Sequence, residues 1–313
     1  MKDSYGREIY YLRLSVTDRC NLRCVYCMPD GCSPTGDDVL SAGEIAEIVS
    51  AAARCGITKV RITGGEPLLR RDIIEICRTV AQTDGITELC LTTNGHLLTK
   101  YAQPLKDAGV KRLNISFDSL DPETYREITR NGTLEAALAG LHAALETEFE
   151  AIKLNAVLLG GVNDGEILRL LEMTRRYNVN VRFIEVMPIG ESAEWAKGRF
   201  ISATRVLELA PELCDVGEDG VARLYRLPGG QGTVGLISPI SSHFCPTCNR
   251  IRVSSDGKLK PCLHSAEEID IKGLCGAELE AVIRRSVLSK PQRHKLDTDE
   301  KSGSRRNMNA IGG

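Results

Sequence analysis

The chain has 313 residues, 42% of them hydrophobic and 26% charged, an ordinary globular composition that excludes a disordered or collagenous protein. Its net charge is −2 and only 4% of its residues are aromatic, so no binding to nucleic acid is expected. Because no apolar run is long enough to span a membrane and the N-terminus has no apolar signal core, we expect a soluble, cytoplasmic protein that binds no membrane. Its 12 cysteines then favour metal binding over disulfides, since the cytosol keeps thiols reduced.

Strand and helix patterns alternate along the first 190 residues. Apolar and β-branched runs predict strands over 9–16, 58–63, 86–93, 110–117, 151–158 and 180–187. Helical patterns lie between them, at 41–55, 70–82, 97–108, 133–147 and 164–177. The first helix has a capping box formed by Ser41 and Glu44, and Gly56 follows its end. Strands joined by helices predict an α/β fold with a parallel sheet, either doubly wound or a partial (β/α)6 barrel.

The pattern changes after Pro188. A loop carrying the only tryptophan, Trp195, precedes a predicted short helix near 202–210. Short strand-like runs follow at 222–227, 233–240, 250–254 and 258–263. We therefore divide the chain into a main α/β domain over residues 1–190 and a smaller C-terminal extension over residues 191–313.

The first group of cysteines follows the first predicted strand. Cys20, Cys24 and Cys27 have C-x3-C-x2-C spacing. Three thiolates so close together can hold a cubane iron–sulfur cluster, which normally takes four cysteines, so one iron would stay open for another ligand. A zinc site completed by a distant residue is the alternative. Cys32 lies nearby, but its spacing does not extend this group.

The second group of cysteines lies in the C-terminal extension. Cys245, Cys248 and Cys262 again provide three thiols. His243 and His264 lie beside them and could complete a zinc ribbon. If this group instead holds a cluster, its open iron can bind a substrate atom.

Polar residues and glycines lie at the carboxyl ends of the predicted strands, where parallel α/β folds place their catalytic and binding residues. Gly64 and Gly65 permit close backbone approach, and Glu66 can accept a hydrogen bond from an ammonium group. The third, fourth and sixth predicted strands end near Thr92, Ser116 and Met187, respectively.

Strand alternation adds a group of cations. Side chains two residues apart share a face of a strand, which places Arg13 with Ser15, Lys153 with Asn155, and Arg250 with Arg252. If these faces and Arg61 line one lumen, five cations converge in a chain that has no overall positive charge. Because unpaired buried charges are costly, such a site calls for a multiply charged anion, and a nucleoside triphosphate fits.

The first cysteine loop, with Tyr26 before its last cysteine, resembles that of the radical S-adenosylmethionine enzymes. Within them, the segment Leu14–Cys20, the second triad followed by Asn249–Arg252, and the terminal Ile311–Gly313 resemble the GTP 3′,8-cyclase family, whose members catalyse the first step of molybdenum cofactor biosynthesis. The resemblance runs from about residue 7 to residue 313. It implies the partial (β/α)6 barrel.

The resemblance also implies the ligands of the site. Cys20, Cys24 and Cys27 would hold one 4Fe–4S cluster, whose open iron binds S-adenosylmethionine, and Cys245, Cys248 and Cys262 a second, whose open iron binds the guanine of GTP. The positions that match S-adenosylmethionine contacts, with Glu66 added as an acceptor, are Tyr26, Gly65, Glu66, Ser116 and Met187. The positions that match GTP contacts are Arg13, Arg61, Thr92, Lys153, Arg250 and Arg252.

The implied reaction is radical cyclisation. A 5′-deoxyadenosyl radical takes the C3′ hydrogen of GTP, C3′ attacks C8, and reduction gives (8S)-3′,8-cyclo-7,8-dihydroguanosine 5′-triphosphate. Gly312 and Gly313 would reach the active site, and the basic stretch before them, which begins at residue 284, would help dock this tail. Implied partners are a flavodoxin-like or ferredoxin-like reductant and the next pathway enzyme, cyclic pyranopterin monophosphate synthase, with the chain a monomer or homodimer.

Two alternative functions stay open. They are another radical enzyme, such as a peptide-modifying maturase, and a non-catalytic zinc-stabilised binding module.

Overall fold

Twelve strands form one continuous sheet in the computed structural model, which describes residues 1–29, 39–296 and 302–312. Its centre consists of six parallel strands, β1 (Tyr11–Ser15), β2 (Lys59–Thr63), β3 (Glu88–Thr93), β4 (Arg112–Ser116), β5 (Ala151–Leu158) and β6 (Asn180–Glu185). Each lies within a predicted strand segment. They follow one another in chain order, whereas a doubly wound sheet reverses its order at a switch point. The partial barrel is therefore confirmed, and its sheet does not close.

Helices join these strands. The longer ones are α1 (Ala42–Arg54), α2 (Ile73–Ala81), α3 (Leu98–Asp107), α4 (Pro122–Thr129), α5 (Leu134–Glu146) and α6 (Ile167–Arg176). The capping box predicted for α1 is present. Helix α4 was not predicted; it has only eight residues and begins with an Asp121 cap followed by proline. Within the described ranges, no helix is both long and apolar enough to cross a membrane.

The C-terminal strands extend both edges of the same sheet. They are β7 (Cys214–Asp219), β8 (Ala222–Arg226), β9 (Thr233–Ile237), β10 (Arg250–Val253), β11 (Lys258–Lys260) and β12 (Ile269–Asp270). β9 pairs in parallel with β6, and β10 pairs in parallel with β1. The mostly exposed β7 was not predicted. Because β10 runs parallel to β1, with Arg250 in register with Tyr11, the second cysteine group lies at the amino end of β1, opposite the carboxyl end that the first group follows.

The remaining helices are short, except for one. They are α7 (Ala193–Lys197), α8 (Arg205–Leu209), α9 (Gly276–Leu288) and α10 (Met308–Ile311), with 3-10 turns at Pro67–Leu69, Asp164–Glu166, Gly190–Ser192 and Cys245–Thr247. Trp195 lies in α7, not in the loop that the sequence predicted. The sequence analysis also missed α9, which overlaps the basic stretch and buries Leu279, Ile283 and Val287.

Alternation along the strands separates an apolar outer face from a polar inner one. Leu12 and Leu14 of β1 are fully buried in the main core, whereas Arg13 between them lines an internal cavity. α1 packs its buried face, which includes Ile45 and Ile48, into the same core. Each such side chain contributes about 1.5–3 kcal/mol by leaving water. The helix layer therefore stabilises the barrel from outside and leaves its interior free for polar groups.

Candidate active site

A cavity of about 320 Å³ lies inside the barrel, and both cysteine groups line it. All six predicted ligands contribute to its wall, namely Cys20, Cys24, Cys27, Cys245, Cys248 and Cys262. Four of the five predicted S-adenosylmethionine contacts line it too, which are Tyr26, Gly65, Ser116 and Met187. So do five of the six predicted GTP contacts, which are Arg13, Arg61, Thr92, Arg250 and Arg252. Of the described residues, Glu66 and Lys153 are the two predicted contacts that lie outside this lining.

Close backbone contact holds the first cysteine loop against the end of β2. The Gly65 N–H donates to the carbonyl of Thr17 at 2.7 Å, and the Glu66 N–H donates to that of Arg19 at 2.8 Å. A Cβ atom on Gly65 would lie 2.3 Å from the Arg19 carbonyl oxygen. Glycine is therefore required here, as the sequence analysis inferred from its position at a strand end. The Leu22 N–H donates to Cys20 Sγ at 3.4 Å, which stabilises charge on that sulfur.

Glu66 lies behind the cavity wall and is fully buried. Its carboxylate accepts hydrogen bonds from the Leu68 N–H, the Thr93 hydroxyl and the Asn94 N–H at 2.7–3.0 Å. Burial raises the pKa of Glu66 to about 7, although these three hydrogen bonds oppose the shift. Asn94 in turn donates to Asn21 at 2.8 Å. Glu66 thus supports the cysteine loop through the end of β3.

Asp118 lines the cavity two residues after Ser116, and no role was predicted for it. Its carboxylate accepts from the Tyr26 hydroxyl at 2.7 Å and from the Val157 N–H at 2.8 Å. Burial raises the pKa of Asp118 to about 6. The contact fixes the aromatic residue of the cysteine loop against the ends of β4 and β5.

The second cysteine group lies beside β1, since Arg252 of β10 is in register with Arg13. Arg7 donates to the Cys245 carbonyl oxygen at 3.0 Å and so anchors this loop to the N-terminal segment. Although burial opposes it, the Arg250 and Lys290 charges lower the pKa of Cys248 to about 6. These cations favour the thiolate, which is the form that binds metal.

The two histidines of the zinc alternative, His243 and His264, both pack against a third histidine. The ring of His294 lies 4.6 Å from those of His243 and His264, between centroids. Burial lowers the pKa of His264 to about 3, so its ring is neutral. Both cysteine triads line the cavity, and three thiols are the donor set of a cubane cluster with one open iron.

Four of the five predicted cations converge on the cavity, as strand alternation predicted. Burial lowers the pKa of Arg13 to about 10. Burial and the charges of Arg13 and Arg250 lower the pKa of Arg252 well below its usual value. Positive charges held so close together favour an anion, which relieves their mutual repulsion.

The fifth predicted cation, Lys153, is engaged by an acid. Lys153 and Arg182 both lie 2.5 Å from a carboxylate oxygen of Asp219, at the turn between β7 and β8. Burial, followed by the charge of Arg182, lowers the pKa of Lys153 to about 8. Although burial opposes it, the two cations lower the pKa of Asp219 to about 2. Sequence reasoning missed Arg182, although β6 places it opposite Asn155 on the inner face.

Three uncharged polar groups of the inner face are buried without a hydrogen-bond partner among the described residues. They are the Thr92 hydroxyl and the side-chain oxygens of Asn114 and Asn155, and all three residues line the cavity. Because an unsatisfied buried polar group costs about 1–3 kcal/mol, this surface is suited to a polar ligand. Only Thr92 was predicted as a contact.

The C-terminal tail of the same chain enters the barrel. Arg252 donates to the Gly312 carbonyl oxygen at 2.8 Å. Gly312 has a φ of +76°, and a Cβ on it would meet the Thr63 hydroxyl at 2.3 Å. Arg306 of the basic stretch pairs with Asp256 and Glu268 at 2.9 and 2.8 Å. Gly313 and Cys32 lie outside the described residues.

Residues 14–174 match the family model of the Radical SAM superfamily, and residues 179–296 match that of Molybdenum Cofactor Synthesis C. The GTP 3′,8-cyclases of Alkaliphilus oremlandii and Alkaliphilus metalliredigens are each 49% identical to the chain over 320 residues, with full coverage of both sequences. Among solved structures, Streptococcus suis SuiB bound to S-adenosylmethionine matches 88% of this chain and 68% of its own, with a TM-score of 0.62 and 15% identity. That structure shares the fold.

Proposed function

The chain belongs to the GTP 3′,8-cyclase family of the radical S-adenosylmethionine superfamily, and we propose that its barrel cavity holds S-adenosylmethionine and GTP between two 4Fe–4S clusters. The protein is an enzyme that cyclises GTP to (8S)-3′,8-cyclo-7,8-dihydroguanosine 5′-triphosphate in molybdenum cofactor biosynthesis. The observation that carries the assignment of the site is that two cysteine triads open onto one cavity lined by buried cations.

The first triad and its surroundings form the S-adenosylmethionine half of the site. Cys20, Cys24 and Cys27 would hold the first cluster, and the chemistry that this cluster would supply is one-electron reductive cleavage of S-adenosylmethionine to methionine and a 5′-deoxyadenosyl radical. Residues at three different strand ends and in the cysteine loop contact the cosubstrate, namely Tyr26, Gly65, Ser116 and Met187. Glu66 contributes through the backbone that it fixes, since its carboxylate already accepts three hydrogen bonds.

The second triad and the cations form the GTP half. Cys245, Cys248 and Cys262 hold the second cluster beside guanine. The triphosphate pairs with the cationic face, and GTP contacts come from Arg13, Arg61, Thr92, Lys153, Arg250 and Arg252. Buried cations favour a nucleotide over the substrate of a peptide-modifying enzyme, since a neutral peptide brings no charge to compensate them.

What the chain itself contributes to the reaction is binding, orientation and exclusion of water. The unsatisfied oxygens of Asn114 and Asn155 provide acceptors for hydroxyl or amino groups of the substrate. Gly312 reaches the cationic face through Arg252, so the tail completes the wall of the site within one chain. Deletion of Gly312 and Gly313 should abolish product while both clusters are retained, and full activity of the truncated enzyme would contradict this role.

The proposal extends to the protein's partners, location and domains. A flavodoxin-like or ferredoxin-like protein supplies electrons, and cyclic pyranopterin monophosphate synthase receives the product. A cytoplasmic location agrees with the free thiols of the described cysteines. The division into a barrel domain, 1–190, and a cluster-bearing extension, 191–313, agrees with the change of sequence pattern after Pro188, although the strands share one sheet. The site needs residues of one chain, so a monomer or a homodimer can form it.

The assignment of the clusters is tested by iron content. Replacing Cys20, Cys24 and Cys27 together with alanine should remove about half of the iron and abolish 5′-deoxyadenosine formation. Replacing Cys245, Cys248 and Cys262 should also remove about half of the iron and abolish cyclisation of GTP. Alanine at the exposed Cys214 and Cys275 is the matched control and should leave the iron unchanged. Full iron content in either triad variant would overturn the assignment.

A further inference from the structure

Lys290 connects the two chain segments that carry the second cysteine group. It follows α9, and its side chain is buried beside the cavity that it lines. Its ammonium donates to the carbonyl oxygen of Arg250 at 2.9 Å and to that of Pro261 at 2.7 Å. Arg250 lies two residues after Cys248, and Pro261 directly precedes Cys262. One side chain thus fixes the spacing between the two segments.

The charge of Lys290 has no carboxylate partner in the described parts of the chain. Its two acceptors are both neutral carbonyl groups. Lys260, on the neighbouring strand β11, is equally buried, but it pairs with Glu268 at 2.9 Å. Because a buried ammonium without a negative partner is costly, the compensating charge must come from a group that Lys290 faces.

The second cysteine group provides that negative charge. The carbonyl groups that Lys290 contacts lie within two residues of Cys248 and Cys262, and Lys290 lines the same cavity as both of these cysteines. Three thiolates around a cubane cluster leave the assembly anionic, and reduction by one electron adds a further negative charge. A nearby buried cation stabilises the reduced form more than the oxidised form, since attraction in a low-dielectric interior grows with charge.

We propose that Lys290 is a positioning residue and the buried counter-charge of the second cluster, and that it raises the reduction potential of that cluster. The proposal rests on the function proposed above, since it assumes that Cys245, Cys248 and Cys262 hold an iron–sulfur cluster. The hydrogen bonds of the Lys290 side chain reach neither the substrate nor an iron ligand. The proposal therefore assigns a role to a residue outside the direct contacts of the site.

The test is a redox titration of the anaerobically prepared holoenzyme with dithionite, followed by electron paramagnetic resonance. The signal that changes when GTP is added identifies the second cluster, and the signal that changes with S-adenosylmethionine identifies the first. Lys290→Met removes the charge at similar length, Lys290→Arg keeps it, and Lys260→Met is the matched control for loss of a buried lysine from the same region.

The proposal predicts that Lys290→Met lowers the reduced-to-oxidised ratio of the second cluster at least tenfold at a given potential, which is 59 mV for a one-electron couple. The reduction potential of the first cluster should not shift in Lys290→Met. In Lys290→Arg, the potential of the second cluster should stay close to that of the wild type. Lys290→Met could also lose half of its iron while Lys290→Arg and Lys260→Met keep theirs. That result would show that Lys290 positions the second cysteine group, and it would support the same role. An unchanged potential with full iron, or equal shifts in Lys290→Met and Lys260→Met, would overturn it. If GTP changes neither signal in the wild type, the proposed function itself fails.

Discussion

Replacing Gly65 with alanine would place a methyl carbon 2.3 Å from the carbonyl oxygen of Arg19 and 2.7 Å from that of Asp18. Non-bonded heavy atoms are comfortable at about 3.5–4.0 Å, so the cysteine loop and the end of β2 must separate by about 1 Å. That movement breaks the hydrogen bonds from the Gly65 and Glu66 amides, at 2.7 and 2.8 Å. Each lost bond costs about 1–2 kcal/mol in a buried site, so the local cost is about 2–4 kcal/mol.

Because Arg19 directly precedes Cys20, we expect Gly65→Ala to lose the first cluster and to retain the second. The variant should hold about half of the wild-type iron per chain and form no 5′-deoxyadenosine, while GTP still changes the spectrum of the remaining cluster. Gly43→Ala is the control, since Gly43 lies in α1 with nothing within 4 Å of the added carbon. It should keep full iron and gain about 0.5–1 kcal/mol of stability. Full iron and normal cleavage of S-adenosylmethionine in Gly65→Ala would refute the steric reasoning.

Three further predictions concern side chains around the cavity. Arg306→Gln should release the tail from Asp256 and Glu268 and lower the rate of cyclisation with both clusters intact. Substitution of the exposed neighbour, Arg305→Gln, is the control and should behave as wild type. Equal activity of the two variants would contradict this prediction. Asp219→Asn should bind GTP about fivefold more tightly in calorimetry. In the wild type, phosphate must displace the part-exposed Asp219 carboxylate from Lys153, an ion pair worth about 1 kcal/mol. Weaker binding of GTP by this variant would instead make Asp219 part of the substrate site. Because burial raises the pKa of Glu66 from 4.5 to about 7, the native protein binds more protons than the unfolded chain in that range, and stability should fall as pH rises through it. Glu66→Gln should reduce this slope in thermal melts between pH 5 and pH 7, and an unchanged slope would exclude Glu66 as its cause.

Local sequence patterns were sufficient for the six central strands and much of the cavity lining, whereas the choice of a partial barrel over a doubly wound sheet came from the family resemblance. The alternation of side chains along a strand predicted that Arg13 and Arg61 face one lumen, and the structure places both there. The rule that parallel strands end at the same edge predicted the positions of Gly65 and Ser116. These features depend on residues close together in the chain, which is why periodicity and spacing report them.

Contacts between distant segments were not predicted. Lys153 meets Asp219 across 66 residues of sequence, and the mostly exposed strand β7, which ends at Asp219, has no apolar pattern that predicts it. The pairing of β10 with β1, which brings the second triad to the cavity, is equally long-range. Spacing identified both triads, whereas Lys290 has no motif and its role depends on two carbonyl groups that only the folded chain brings together.

The most direct test of the central claim is transfer of deuterium from GTP labelled at C3′. The holoenzyme is supplied anaerobically with S-adenosylmethionine, a reductant and the labelled nucleotide, and 5′-deoxyadenosine is analysed by mass spectrometry. The account predicts deuterium in 5′-deoxyadenosine and formation of the cyclised nucleotide. Unlabelled 5′-deoxyadenosine, formed equally without GTP, would contradict the assignment of GTP as the hydrogen donor. No 5′-deoxyadenosine from protein with full iron and sulfide would contradict the radical chemistry itself.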